Sequence, residues 1–201
     1  MSLTALEIVA VTIGVAEVWL EYRASIWLWL LQIIMPLCYL CIYCHSRLYV
    51  DAGICVVYIF VGIYGWICWL CRRDKVTKRQ GRISHMPLRV LSWLVPAAIL
   101  VFIVAAYLLV HYTDTPLPIH SAGVLALSLS AMWLLSQKYA EQWLVCIILD
   151  LLNCYVYATV GLRLTALLFA FYGLFAIFGY LHWARLVRRA GLLKASAIST
   201  Q

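Results

Sequence analysis

An aspartate, an asparagine and two aromatic rings recur at helical spacing in WLVCIILDLLNCYVY, residues 143–157. Trp143, Cys146, Asp150, Asn153 and Tyr157 stand three or four positions apart, so a helix presents all five on one side. The residues between them are mostly Leu, Ile and Val, which suit lipid. A carboxylate at the centre of such a segment costs about 2.5–3.5 kcal/mol to insert and has to face protein or a wet cavity. Placed there, Asp150 matches a cation, and neighbouring ring faces add cation–π attraction. Asn153 and Tyr157 can orient the hydroxyl or amide groups of a ligand. The competing reading makes Asp150 a buried packing carboxyl with Asn153 as its hydrogen-bond partner.

Other polar residues inside apolar runs are fewer. Gln32 precedes Pro36, whose missing N–H frees a backbone carbonyl, and either ligand binding or interhelical bonding accounts for it. Tyr58 lies inside another apolar run and reads equally as a cavity or a core tyrosine. Glu17 reads as a side chain reaching the membrane interface. Trp27/Trp29 and Trp66/Trp69 read as interface-belt anchors. Lys138 and Glu141 read as a solvated pair beside a short turn. Cys38, Cys41 and Cys44 are spaced C-x-x-C-x-x-C, yet a helix spreads them around its surface, so they read as packing residues rather than metal or cluster ligands. No H-E-x-x-H, Walker A or G-x-S-x-G sequence occurs. The expectation is a protein without catalytic residues, metal or cofactor, and not an enzyme.

Composition fixes what must position these groups. Of 201 residues, 66% are hydrophobic and 11% charged, far from the balance of a water-soluble domain. A chain this small cannot bury that much apolar surface in water; it reads as an all-α integral membrane protein with the lipid bilayer as partner. A span needs about 20 apolar residues, and seven appear: Leu3–Leu20, Ser25–Tyr43, Gly53–Cys71, Leu91–His111, Ile119–Gln137, Tyr139–Ala158 and Leu164–Trp183. Leu3–Leu20 reads as a retained span, because no Lys or Arg precedes Arg23 to make a signal-peptide n-region.

The net charge of +7 reports topology rather than nucleic-acid binding. Arg72, Arg73, Lys75, Lys78, Arg79, Arg82 and Arg89 fall in one linker, and Arg185, Arg188, Arg189 and Lys194 in the tail. Placing both inside the cell also puts Arg23 and Lys138 inside, leaving only Arg47 and Arg163 outside. The N-terminus is then outside and the C-terminus cytoplasmic.

The halves also resemble each other. At an offset of 116 residues, Ala24/Ala140, Trp27/Trp143, Leu28/Leu144, Cys38/Cys154, Tyr39/Tyr155, Arg47/Arg163, Leu48/Leu164 and Tyr64/Tyr180 coincide. With equal orientation of spans 1–3 and 5–7, this reads as a 3+1+3 parallel repeat, a transporter architecture with its site near the midplane. The expected parts are a first three-helix bundle (1–71), a basic cytoplasmic linker (72–90), a linker helix with outer loop (91–118), a second bundle (119–185) and a basic tail (186–201).

Residues 137–183, from QKYAEQW to FGYLHW, resemble the C-terminal repeat of the PnuC-type vitamin transporters, which reads K-x-x-E-N-W-x-x-W-I-x-x-N/D and closes with G-Y-x-x-W. LYVDAG (48–53) and YGWICW (64–69) are similar to first-half motifs of the same family. Cys146 stands at the second tryptophan, and Ile54 and Gly62 stand where the family carries a glutamine and an asparagine. The resemblance implies a layout similar to SWEET sugar transporters. It implies facilitated diffusion (uniport) of a cationic vitamin, nicotinamide riboside first and thiamine second, in the bacterial inner membrane. It further implies coupling to a cytoplasmic kinase that phosphorylates the substrate. Trp143, Asp150, Asn153, Tyr157, Gln32 and Tyr58 are the expected substrate-binding residues, with oligomeric state, homo-oligomer included, left open. A non-transporting assembly or sensor protein is the reading from another class, separated from a transporter by whether a cavity reaches the midplane.

Overall fold

The computed structural model describes residues 3–45, 49–71, 83–113, 117–159, 161 and 163–199; for 3–12, 42, 164, 191 and 193–199 it describes the backbone alone. Seven helices follow one another: α1 Leu3–Tyr22, α2 Trp27–His45, α3 Tyr49–Cys71, α4 Leu88–Tyr112, α5 Pro118–Ser136, α6 Gln142–Thr159 and α7 Arg163–Ser199. Helices are what a bilayer demands, because each backbone polar group must find its partner within its own segment. Each expected span falls on one of them. α2 to α6 and the Thr165–Ala190 part of α7 are long and apolar enough to cross a membrane; α1 has 20 residues. α7 runs past the expected end at Trp183 to Ser199. No proline interrupts it, and Ala, Leu, Arg and Lys dominate the extension.

The outer surface is apolar. Phe60, Ile99, Leu100, Leu151, Leu167 and Phe178 are all exposed, the arrangement expected of helices facing acyl chains. α6 packs chiefly on α7, α2 on α3, and α4 on α5. α5 also packs on α6 and α3, while α1 touches α2 and α7.

The α1–α2 and α5–α6 turns use the same local geometry. Ala24, between α1 and α2, and Lys138, between α5 and α6, both have positive φ, at 50° and 58°. Around Ala24, Arg23 N–H donates to Trp19, Ser25 N–H to Leu20, Leu28 N–H to Ser25 and Trp29 N–H to Ile26. Around Lys138, Gln137 donates to Trp133, Tyr139 to Leu134, Gln142 to Tyr139 and Trp143 to Ala140. Every pair is separated by 114 positions. The 116-residue register of the sequence comparison is therefore two residues too long, and the counterpart of Trp143 is Trp29 rather than Trp27. Residue identity alone misleads here because Leu, Ile, Val and Cys are interchangeable along lipid-facing helices, whereas turns fix the register.

Pro36 lies inside α2 and cannot donate to the carbonyl of Gln32. Gly62 of α3 packs over that carbonyl, 3.5 Å from where a Cβ would stand.

Candidate functional site: a membrane-embedded cavity and three carboxylates

The α6 stripe points inward. Trp143 and Asn153 are buried and Cys146, Asp150 and Tyr157 are half-buried, while Leu144, Ile148, Leu151 and Tyr155 on the other side are exposed. Asp150 packs against Gly173 of α7, whose Cβ would stand 3.4 Å from the Asp150 Cβ. Asn153 Nδ2 donates to the Leu149 carbonyl at 3.0 Å, and its amide reaches His120 on α5. Tyr157 stacks on Phe169 at 5.4 Å between centroids, and Phe169 meets Tyr172 edge-on at 6.2 Å.

Two further carboxylates face this stripe from α1. Glu21 lies within electrostatic range of both Glu17 and Asp150 and beside Gln142. Tyr172 senses Glu17 and Asp150 together. Glu17 is therefore an interior residue, not the interface side chain its position near a helix end implied. Glu21 escaped notice because it lies two positions from Arg23 and looks like half of a surface pair. The signal was available: Gly14, Glu17 and Glu21 repeat at +3 and +4, the spacing that singled out Asp150. α1, α2, α3, α5 and α6 carry no Lys or Arg; His120 of α5 meets Asn153, and the arginines of α7 stand toward its two ends.

Beside Glu17 opens a cavity of about 350 Å³ between α1, α2 and α3. α2 supplies Gln32, Tyr39 and Tyr43, and α3 supplies Asp51, Cys55 and Tyr58. Tyr58 also reaches Ser128 on α5. Two of the six expected site residues, Gln32 and Tyr58, thus share a cavity. Trp143, Asp150, Asn153 and Tyr157 do not line it; Tyr172 is within electrostatic range both of Glu17, which does, and of Asp150. A second cavity of about 480 Å³ between α3, α4 and α5 is lined entirely by apolar residues such as Val57, Leu100 and Leu129.

At the end of the helices away from Asp51, a packed aromatic layer separates the cavity from the α5–α6 turn. Trp29 is 0% exposed and Trp69 1%, and they meet edge-on at 5.6 Å; Trp143 and Trp183 do the same at 5.8 Å. Gly65 leaves room for the Trp29 ring and Gly179 for the Trp143 ring. Trp69 Nε1 donates to the Leu135 carbonyl at 3.1 Å and Trp183 Nε1 to the Tyr22 carbonyl at 3.1 Å. Of the tryptophans expected at the interface, Trp27 is 65% exposed as a belt residue is, but Trp29 and Trp69 are core. The Lys138–Glu141 expectation is also corrected. Lys138 is 1% exposed, its ammonium 4.1 Å from the Trp69 ring centroid. Glu141 accepts from the Met86 N–H at 2.8 Å and pairs with His85 Nδ1 at 2.8 Å. Ser84 bridges the same turn through Lys138 and Ala140. The K-x-x-E-x-W block thus builds a clamp on the α5–α6 turn.

A family profile described as nicotinamide mononucleotide transporter matches residues 4–185. The chain belongs to that family. It is accordingly a membrane transporter, a multi-pass protein of the inner membrane. Among similar proteins, the nicotinamide riboside transporter PnuC of Escherichia coli K12 is 21% identical over 174 residues, covering 75% of this chain and 72% of the relative. PnuC of Neisseria mucosa is 24% identical over 144 residues, covering 67% of this chain and 54% of the relative. The crystal structure of the vitamin B3 transporter PnuC superposes with a TM-score of 0.67 at 21% identity, covering 90% of this chain and 81% of that one. At that identity the superposition speaks for the fold.

Proposed function

We propose that this family member carries nicotinamide riboside across the inner membrane by facilitated diffusion. The observation that carries the reading is Glu17, Glu21 and Asp150 gathered beside helices α1, α2, α3, α5 and α6, which hold no Lys or Arg. Ionisable groups at membrane depth mark ion and substrate paths. A pyridinium substrate supplies a matching positive charge. Asp150 is the counter-charge, with Asn153 and Tyr157 beside it to bond the ribose and amide, while Gln32 and Tyr58 meet the substrate in the α1–α2–α3 cavity. The relatives named for nicotinamide riboside support this choice over thiamine, which carries the same charge.

The architecture that goes with this reading is 3+1+3, with α1 as the seventh span and α4 joining two parallel repeats. The shared 114-residue register of the α1–α2 and α5–α6 turns supports it. The basic linker (72–90), most of which lies outside the described residues, and the basic tail support an orientation with the aromatic layer on the cytoplasmic side and Asp51 on the outer side. No nucleotide-binding motif drives transport, so net uptake depends on a cytoplasmic kinase that traps the product by phosphorylation.

Purified protein in liposomes containing only buffer tests the proposal. Labelled nicotinamide riboside should enter saturably without ATP or an ion gradient, and excess unlabelled thiamine should compete poorly. Uptake that requires an imposed ion gradient would end the uniport part. Preferential uptake of thiamine would reassign the substrate, and no transport of either cation would favour the sensor or assembly role.

A further inference from the structure

The 114-residue register lets each wall of the α1–α2–α3 cavity be compared with its counterpart in the second half. Tyr43 corresponds to Tyr157, Tyr58 to Tyr172 and Cys55 to Phe169. In the second half these three positions make a closed aromatic stack, Tyr157 on Phe169 and Phe169 on Tyr172. In the first half the two tyrosines line a cavity with a thiol between them. The central ring of the stack is what the first half lacks. Two carboxylates border the space: Asp51 in the first turn of α3 and Glu17 on α1. Asp51 and Tyr58 are seven residues apart, so the chamber extends about 10 Å along α3. Its size falls in the range of small-molecule pockets.

We infer that this cavity is a second cation site on the transport path, a chamber reached past Asp51, closed by Glu17, and kept open by Cys55. Its ligand is a flat, ring-bearing organic cation. The tyrosines offer ring faces, Gln32 offers an amide, and each carboxylate favours positive charge. Glu17, which shares the neighbourhood of Tyr172 with Asp150, is the point where the cation passes from the first half to the second. The inference rests on the proposed cationic substrate and adds to it where charge selection takes place.

The test compares nicotinamide riboside with its neutral dihydro form, by calorimetry on detergent-purified protein and by liposome uptake. Cys55→Phe should weaken binding of the cation by at least about ten-fold. Because Cys55→Phe has to fold for its result to count, Glu17→Gln provides an independent arm. Glu17→Gln should lose affinity for the cation by about ten-fold or more and change little for the neutral form, collapsing the preference between them. Asp51→Asn should slow cation uptake more than it changes equilibrium affinity. An unchanged cation preference in Glu17→Gln, or full affinity in a folded Cys55→Phe protein, overturns the chamber. If Glu17→Gln changes the preference and Asp150→Asn does not, the chamber stands and the counter-charge role of Asp150 fails. If thiamine replaces nicotinamide riboside as the ligand whose affinity Glu17 controls, the chamber stands with a different cargo.

Discussion

Charge inside this molecule is held by single side chains whose surroundings decide their work. Asp150 sits on the inward face of α6 against Gly173, so Asp150→Asn keeps shape and removes only charge. Uptake of nicotinamide riboside by that variant should fall by about ten-fold or more, with the melting temperature in detergent equal to or above wild type. A fall in both would mean a structural carboxyl. Glycine matters at the aromatic layer for the opposite reason: space. A methyl on Gly179 would stand 2.6 Å from the Trp143 ring, and the ring, 2% exposed, has nowhere to go. Gly179→Ala should cost about 1–3 kcal/mol by overpacking, read as a lower thermal midpoint. Asp150 was legible in the sequence because a lone acid among aliphatics has few explanations. Glu21 was not, because membership of a helix end hides whether a side chain turns toward water or protein.

Helices and turns carry the second layer of the account. Trp69 and Trp183 each tie one half of the chain to a turn of the other, through hydrogen bonds of equal length. Trp69→Phe and Trp183→Phe should therefore destabilise by similar amounts, about 1–2 kcal/mol each, in denaturant or thermal melts. A large effect from only one would break the equivalence. Ala24 holds φ at 50°, where a side chain is strained. Ala24→Gly should stabilise the protein by about 1 kcal/mol, a rise in melting temperature that is unusual for a glycine substitution. The helices themselves were readable, since unbroken apolar runs of span length admit little else. Their register was not, because the turn conformations that set it leave only a weak mark on residue type. The burial of Lys138 was hidden for a similar reason. A lysine beside a turn reads as solvated unless the ring beneath it, Trp69, is known to be there.

As a whole the molecule places a cavity bordered by acids among α1, α2 and α3, a closed aromatic stack between α6 and α7, and a tight aromatic layer beyond both. Thiamine and nicotinamide riboside share charge and hydroxyls, so sequence alone left the cargo open. The most direct measurement is counterflow: liposomes loaded with unlabelled nicotinamide riboside, carrying this protein alone, are diluted into trace labelled compound with no ATP and no ion gradient. Transient accumulation of label in wild type, strongly reduced in Glu17→Gln and Asp150→Asn proteins that still fold, is the predicted result. Equal accumulation in all three, or none in wild type, would contradict a cation path built on these carboxylates.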